Sequence, residues 1–574
     1  MISSGSDRLR PQCLRPGKVD PVAGAIVQRL ITNAAREMGL TLLRSTRSPV
    51  LFEARDFSTG IFDAAGRVLE QHKYLPMHAF LLAPVVAEVI RVQGGKVQPG
   101  DVFIHNDPFH GGNHAMDVSV VRPIFAGGDL AGWAACKGHM LDWGGPVASG
   151  YNSAARTAWD EPLRVPAVHL YRAGMRSEET FALIQENIRV PEIVIHDIEA
   201  MAGSTMIGER RMREVIGQFG LPVFRAFVEA WLTGTRQQVE QCIARLPDGT
   251  YRGASRIQYA PEQWAHVAVA VEIAGKDIVF DFTGTSSQTP SYVNAPVAVT
   301  HMGVLQCMAM LLAPDMDWNT SLNAGFTEAI RLRVPPRTLL SAEFPAAVGY
   351  CNHLSDQITE AVFSALAEVL PDRVTGGWVQ WGTTVSGNWQ GRSFATPLFF
   401  ASKGGSGATR GVDGYDYIGS IRMAGALEAE DVETIERAHG WIDVRKQEYW
   451  TDSGGAGEWR GGLGIHVEAV LKGEEMMIAT FGTGRDGGAV GLFGGGDSPP
   501  SRILLIYPNG QTIDVPANAN IYDVPPGTVL KKWNTGGGGY GSPSARANDL
   551  IKRDVLEGYV SPEAARKTYG YSIR

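Results

Sequence analysis

Between Asn106 and Gly145 the chain concentrates side chains that can bind a metal or move a proton. Asp107, His114, Asp117, His139 and Asp142 stand there among glycine pairs. Imidazole nitrogens and carboxylate oxygens are ligands for divalent first-row metals, and the same groups serve as general bases. A His-x-x-Asp pair such as His114–Asp117 is common without a metal, so spacing alone is weak. The elements that must position these residues carry the stronger argument.

Asp117 to Phe125 alternates as a strand does, Ala126-Gly127-Gly128-Asp129 is a turn, and Leu130 to Lys137 is a second apolar strand. Folded about Gly127-Gly128, the hairpin sets Asp117 against roughly position 138 and His114 against roughly position 141. His139 then returns to the open end where His114 and Asp117 leave. Three nitrogen and oxygen ligands converge without any long-range assumption, as a metal site requires.

The 574 residues, 44% hydrophobic and 20% charged, suit a globular protein of three to four domains at roughly 150 residues each. A net charge of −8 with no Lys/Arg block speaks against nucleic-acid binding. Cys13, Cys136, Cys242, Cys307 and Cys351 are odd in number and widely spaced, which fits a reducing cytoplasm and small core residues rather than disulfides. The N-terminus lacks the apolar core of a signal peptide. The longest apolar run, Met302 to Ala313, falls short of the ~20 residues that span a bilayer. The expectation is a cytoplasmic protein away from membranes.

Along the chain, residues 1–18 read as a flexible tail. Asp20-Pro21 caps a helix whose core stripe is Ile26, Leu30, Ile31, Ala34 and Met38. Asp56 stands at a strand edge, where a turn or cap role is the ordinary reading. Met77-His78 opens a second helix, and three more lie within 177–246. The expected fold class is α+β in a large multi-domain chain. A mixed α/β metal-binding domain with helical cover spans 19–246 and a central β-rich domain with inserted helices spans 247–375. A glycine-rich β domain spans 376–545, and a helical tail spans 546–574.

Three motifs tempt. Gly482-Thr-Gly484-Arg-Asp-Gly487 satisfies GxGxxG, yet the glycine-rich run after it cannot open the helix a dinucleotide site needs. Asp452-Ser453-Gly454-Gly455 resembles a protease nucleophile segment without readable partners. Gly536 to Gly541 could form an anion nest, although an ordinary loop is the commoner outcome. With Arg460 it is the candidate to hold a phosphorylated compound, since no Walker-type phosphate loop exists.

Ordered motifs run from near Val19 to Gly570. They include Arg55-Asp-Phe-Ser58, Pro76-Met-His78, Asn106-Asp-Pro108, Gly111-Gly-x-His-x-x-Asp117, His139-x-x-Asp-x-Gly-Gly145, Gly208-Glu-Arg-Arg211, Asp281-Phe-Thr-Gly-Thr285, Asn323-Ala-Gly325, Arg460-Gly-Gly-Leu-Gly464 and Ser561-Pro-Glu-Ala564. In these the chain resembles the hydantoinase B/oxoprolinase family, the metal-binding subunit type shared with acetone and acetophenone carboxylases.

The resemblance implies a division of labour. An ATP-binding hydantoinase A-type subunit, carrying ATP and Mg, phosphorylates the substrate's carbonyl oxygen. The chain read here completes the reaction at a divalent metal (Zn, Mn or Fe) within a hetero-oligomer such as a dimer of heterodimers. By motif, the ligands fall on His114, Asp117 and His139 with Asp56 as a fourth, and Asp107, Asp142 or His78 act as base or orient the ligands. One departure is His139-Met140, where many members carry His-His. The leading expectation is ATP-dependent opening of a cyclic amide: a lactam, a hydantoin or 5-oxoproline. The alternatives are a ketone carboxylase subunit using bicarbonate and a non-catalytic scaffold subunit.

Overall fold

The computed structural model describes residues 20–316, 322–423, 431–485 and 487–572. The expected tail 1–18 and Cys13 lie outside them. Helix α1 (Pro21–Ser45) starts where the sequence places it, with the Asp20 carboxylate accepting from the Val22 N–H. Its buried stripe is Val27, Ile31, Ala34, Met38 and Leu42; Ile26, expected within it, is 45% exposed.

Strands β1 (Phe57–Asp63), β2 (Val68–Lys73), β3 (Val102–His105), β4 (Asp117–Ala126), β5 (Asp129–His139), β6 (Val168–Arg172) and β7 (Met175–Arg176) form one sheet in the order β2-β1-β5-β4-β3-β6-β7. Helix α2 (Pro49–Phe52) leads into it, and α3 (Pro76–Gln93) packs over β1, β2 and β5. After α4 (Glu178–Gln185), the long α5 (Pro191–Phe219) packs on α1, β4 and β5. Helix α6 (Leu221–Ile243) closes this region. Central strands β4 and β5 are buried nearly throughout, because helices cover both faces.

The start of the expected β-rich region folds as a meander of strands. β8 (Gly249–Ala260), β9 (Gln263–Ala274), β10 (Asp277–Asp281) and β11 (Ile330–Arg333) make a second sheet, in which only the β10–β11 pair is parallel. Helix α7 (Val297–Leu312) and the helix Leu354–Leu366 pack together, and the latter lies on β8 and β9. Among the described residues, nine further strands between Trp381 and Asn534 build a four-stranded and a five-stranded sheet. The fold class is α+β, as the sequence predicts. The segments Pro76–Lys96 and Val297–Asp315 are long and apolar enough to cross a membrane, but 56% and 72% of their most apolar windows lie buried inside the protein. Cys136, Cys242, Cys307 and Cys351 are free and buried.

The glycine-dense segments explain themselves by close packing of backbone on backbone. The N–H groups of Gly536, Gly537, Gly538, Gly539, Tyr540 and Gly541 donate to the carbonyls of Ser453, Gly462, Gly377, Gly496, Trp459 and Leu492. A Cβ on Gly461 would fall 1.9 Å from the Gly537 carbonyl oxygen. None of those six donors remains for an anion, so Gly536–Gly541 is not a nest but a loop without regular secondary structure, packed as a structural ply. Ser453 is equally engaged: it is buried, and its Oγ donates to Trp450 and accepts from the Gly464 N–H.

Candidate metal centre

Strands β4 and β5 pair antiparallel with Asp117 directly opposite His139. The simple hairpin predicts position 138 there. The difference is one residue, because a bulge between Ile124 and Phe125 shifts the register. A one-residue slip exchanges the faces of a strand, so the bulge is what turns Asp117 and His139 to the same side. His114 stands one turn before β4, and the Asp117 N–H donates to the His114 carbonyl at 3.1 Å.

The turn that delivers His114 is built by its neighbours. Asp107 caps a short 3₁₀ turn, accepting from the Phe109 N–H at 3.0 Å and contacting His110 Nδ1 at 3.0 Å. Gly111 has φ +90° and its α-carbon lies against helix α3, where a Cβ would meet the Pro84 carbonyl at 2.6 Å. Only glycine fits there. Asn106 ties the turn to the next loop through Ala115, Leu163 and Val165.

At the centre, His114 Nε2 and His139 Nδ1 each lie 2.8 Å from Asp117 Oδ1. His114, Asp117 and His139 offer ligand atoms all within 4.8 Å of one another, and all three are buried. Asp117 Oδ2 accepts from Asn113 Nδ2 and, at 3.1 Å, from Asn352 Nδ2. Those two amides are joined to each other at 2.8 Å. They fix the carboxylate's rotation.

Asp56 arrives from a different part of the chain. Pairing of β1 with β5 sets Phe57 opposite Gly138, and the His139 N–H donates to the Asp56 carbonyl at 3.0 Å. The Asp56 carboxylate lies 2.6 Å from His78 Nε2, and His78 Nδ1 lies 3.5 Å from Asp117 Oδ2. His78 thus stands between Asp56 and Asp117. The structure brings Asp56, His78, His114, Asp117 and His139 together, with Asp56 one imidazole removed from the tight group of three.

Asp107 and Asp142 are not brought there. Asp107 serves the turn described above. Asp142 is fully buried, with Oδ1 2.6 Å from Arg189 Nη1 and Oδ2 receiving the Arg189 N–H at 2.5 Å. That pair pins the loop after β5 to the start of α5. Arg460, the candidate phosphate ligand, is also spoken for. It is 4% exposed, donates to the Gly461 carbonyl and lies 3.5 Å from Asp416.

The electrostatics are those of a prepared cation site. Burial pushes the Asp117 carboxyl up, but the His114 and His78 imidazoles and the hydrogen bonds to His114 and His139 outweigh it and hold it well below the usual range. Burial holds His114 down; burial also pulls His139 down, but its hydrogen bond to Asp117 together with the charges of Asp117 and Asp56 outweighs it and raises His139. His78 Nδ1 and His114 Nδ1 are buried without a hydrogen-bond partner. Buried nitrogens left so are costly, and a cation among them relieves that cost. Two imidazoles and a carboxylate fit a divalent first-row metal better than a thiolate-seeking one.

The centre opens on a narrow cleft of about 50 Å³ whose walls include Asp56, His139, Tyr151, His353, Arg422 and Phe481. The Tyr151 and Phe481 rings stack at 3.6 Å, and His353 meets Tyr151 edge-on at 5.5 Å. Sequence reasoning missed Asn352, His353, Arg422 and Phe481. Cys351-Asn-His353 at the head of an apolar helix was the available signal for the first two. Arg422 and Phe481 have no local signal, since only tertiary packing brings them here.

Comparison with known proteins agrees with this fold. The Hydantoinase B/oxoprolinase family model matches residues 20–543. The beta subunit of caprolactamase from Pseudomonas jessenii is 30% identical over 97% of this chain and 96% of its own length. A putative B subunit of a D-/L-hydantoinase, from Pseudomonas sp. (strain NS671), is 27% identical over 97% of this chain and 96% of its own. Among solved structures, the ATP-dependent caprolactamase from Pseudomonas jessenii superposes with a TM-score of 0.90 at 28% identity, covering 97% of both chains. A nucleotide-free acetone carboxylase shares the fold, with a TM-score of 0.88 at 19% identity over 97% of this chain and 80% of that one. With its motifs in order from end to end and its His–Asp–His group assembled, the chain belongs to the hydantoinase B/oxoprolinase family.

Proposed function

We propose that this chain is the metal-carrying subunit of an ATP-dependent amidohydrolase that opens a cyclic amide: a lactam, a hydantoin or 5-oxoproline. The observation that carries the reading is the buried His114–Asp117–His139 group at the wall of a cleft. The relatives named as subunits of caprolactamase and hydantoinase support that substrate class and a second, ATP-binding subunit of hydantoinase A type. That partner would carry ATP and Mg and phosphorylate the amide oxygen, turning a poor leaving arrangement into an activated one.

His114, Asp117 and His139 would hold the divalent ion, with Asp56 as a fourth ligand from the cleft wall. When bound, such an ion lowers the pKa of water or polarises a carbonyl. The chain's own residues do the rest. Asn113 and Asn352 hold Asp117 in one rotation. Asp56 orients the His78 ring beside the centre across their 2.6 Å contact. Tyr151 and Phe481 close one wall and exclude water from the ring.

The test is reconstitution of the chain with its ATP-binding partner on a cyclic amide, with and without metal. Opening of the ring, coupled to ATP cleavage and abolished by His114→Ala, is the expected result. The likeness to acetone carboxylase in fold keeps one second reading, carboxylation of a ketone with bicarbonate. Label from bicarbonate appearing in an acid product would replace the hydrolase reading with that one. Full activity of His114→Ala and His139→Ala would leave only the scaffold role.

A further inference from the structure

The cleft contains a buried cation. Arg422, on a 3₁₀ turn spanning Ile421–Met423, is 2% exposed and lines the cleft beside Tyr151 and His353. Its turn is fixed from two sides. Gln306 on α7 donates to the carbonyls of Ile421 and Arg422 at 3.2 and 2.7 Å. The Asp356 carboxylate, in the first turn of the helix Leu354–Leu366, accepts the Arg422 N–H at 3.2 Å and also takes Nη1. Nη2 donates to Gln380 Oε1 at 2.7 Å, and Gln380 lines the same cleft.

Arginine carries five N–H donors in a planar fork. Asp356 and Gln380 take two of them, and the other three have no acceptor among the described residues. A buried ion pair adds little stability against an apolar replacement of the same volume, so the pair needs another reason to exist. The field of Arg422 reaches the reacting side of the cleft: after burial, it is the next cause that holds His353 well below its usual imidazole range. Meanwhile the Gly536–Gly541 donors are consumed by protein contacts, and Arg460, which pairs with Asp416 and Asp554, is not among the residues that line this cleft.

We propose that Arg422 is the oxyanion-recognition group of this cleft, oriented by Asp356 and Gln380 to take the oxygens of a phosphoryl group presented beside the His114–Asp117–His139 centre. This rests on the reading that a phosphorylated small molecule reaches the cleft. Arginine's fork matches two phosphoryl oxygens at once, whereas a lysine offers one point charge. Arg422 therefore sets which end of the ligand faces the metal ligands.

The test uses inorganic phosphate titrated calorimetrically into the metal-loaded full chain, with wild type, Arg422→Lys and Arg422→Gln compared. Metal stoichiometry, measured on the same samples, reports that the centre is intact. The expectation is saturable binding in wild type, weakened about ten- to hundredfold in Arg422→Gln and less in Arg422→Lys, with metal content unchanged. Absence of saturable binding in wild type overturns the proposal, as does equal affinity in Arg422→Gln. If Arg422→Gln does not fold, unchanged affinity in Arg422→Lys overturns it instead. No cyclic amide and no partner enters this titration, so it stands or falls separately from the ring-opening assay.

Discussion

Asp117 and His139 face each other across the β4–β5 ladder because the register shifts by one residue between Ile124 and Phe125, where Ala131 of β5 is left over. In an unshifted register Asp117 would meet Gly138, which has no side chain to offer. The candidate metal centre is thus a consequence of strand register as much as of residue identity. Candidate ligands from a local hairpin, one turn and the start of the adjacent strand β1 converge within a single sheet.

Removing a ligand should empty the centre without unfolding the chain. Asp117→Asn keeps the shape and the contacts to Asn113 and Asn352 but loses the charge. His114→Ala removes an imidazole whose Nδ1 has no partner to strand. Both variants are expected to lose more than about a hundredfold in affinity for Zn or Mn, beyond the 10–100-fold typical of a supporting residue. Metal analysis after dialysis checks this. In wild type, metal at a hundredfold excess over its Kd should add about 2.7 kcal/mol of stability, and the Asp117→Asn melting curve should not respond.

His78 is predicted to support the ligands rather than be one. It stands 2.6 Å from Asp56 and 3.5 Å from Asp117, bridging the two carboxylates. His78→Gln should weaken the metal about tenfold and leave its stoichiometry intact. Competition against a chromophoric chelator measures this directly. A loss as large as that of His114→Ala would promote His78 to a ligand.

His105 gives the fold an acid-sensitive edge. It lies one register step from the centre, opposite Ser119, which is itself opposite Lys137. Burial, and then the charge of Lys137, push its imidazole down from 6.5 to about 4. Its folded value lies below its unfolded one, so between pH 6.5 and about 4 the unfolded chain binds a proton that the folded chain refuses. Stability is therefore present above pH 6.5 and is lost as the pH falls through that window, by up to about 3 kcal/mol from this group. His105→Asn, which can keep the contact to the His110 carbonyl, should flatten that part of the denaturation midpoint against pH. An unchanged slope would exclude His105 as its origin.

How much of this was legible follows from the range of the interactions. The hairpin was readable because its turn, its alternation and its ligands are all local, and only the bulge escaped, since no residue type compels one. Asp142 and Asp107 carry the same chemistry as the ligands in the sequence. Arg189, 47 positions away, captures the first, and a 3₁₀ turn captures the second. Arg422 and Phe481 reach the cleft from beyond position 420 through packing that has no periodic pattern to announce it. The family resemblance supplied Asp56, which the β1–β5 ladder now explains.

The glycine plies make the sharpest mutational contrast. Gly461 packs so that a Cβ would stand 1.9 Å from the Gly537 carbonyl oxygen, a backbone atom that cannot rotate away. Moving either ply would break hydrogen bonds such as Gly537 to Gly462 and Gly455 to Gly537. Gly461→Ala should cost more than about 4 kcal/mol, at the extreme end for one substitution. Gly203, within helix α5, has nothing within 4 Å of its Cβ direction. There the same change should stabilise by about 1 kcal/mol, because alanine loses less backbone freedom in a helix. Denaturant midpoints of the two single variants decide the matter. If Gly461→Ala melts like wild type, the close backbone packing of these segments is not what holds the C-terminal half together.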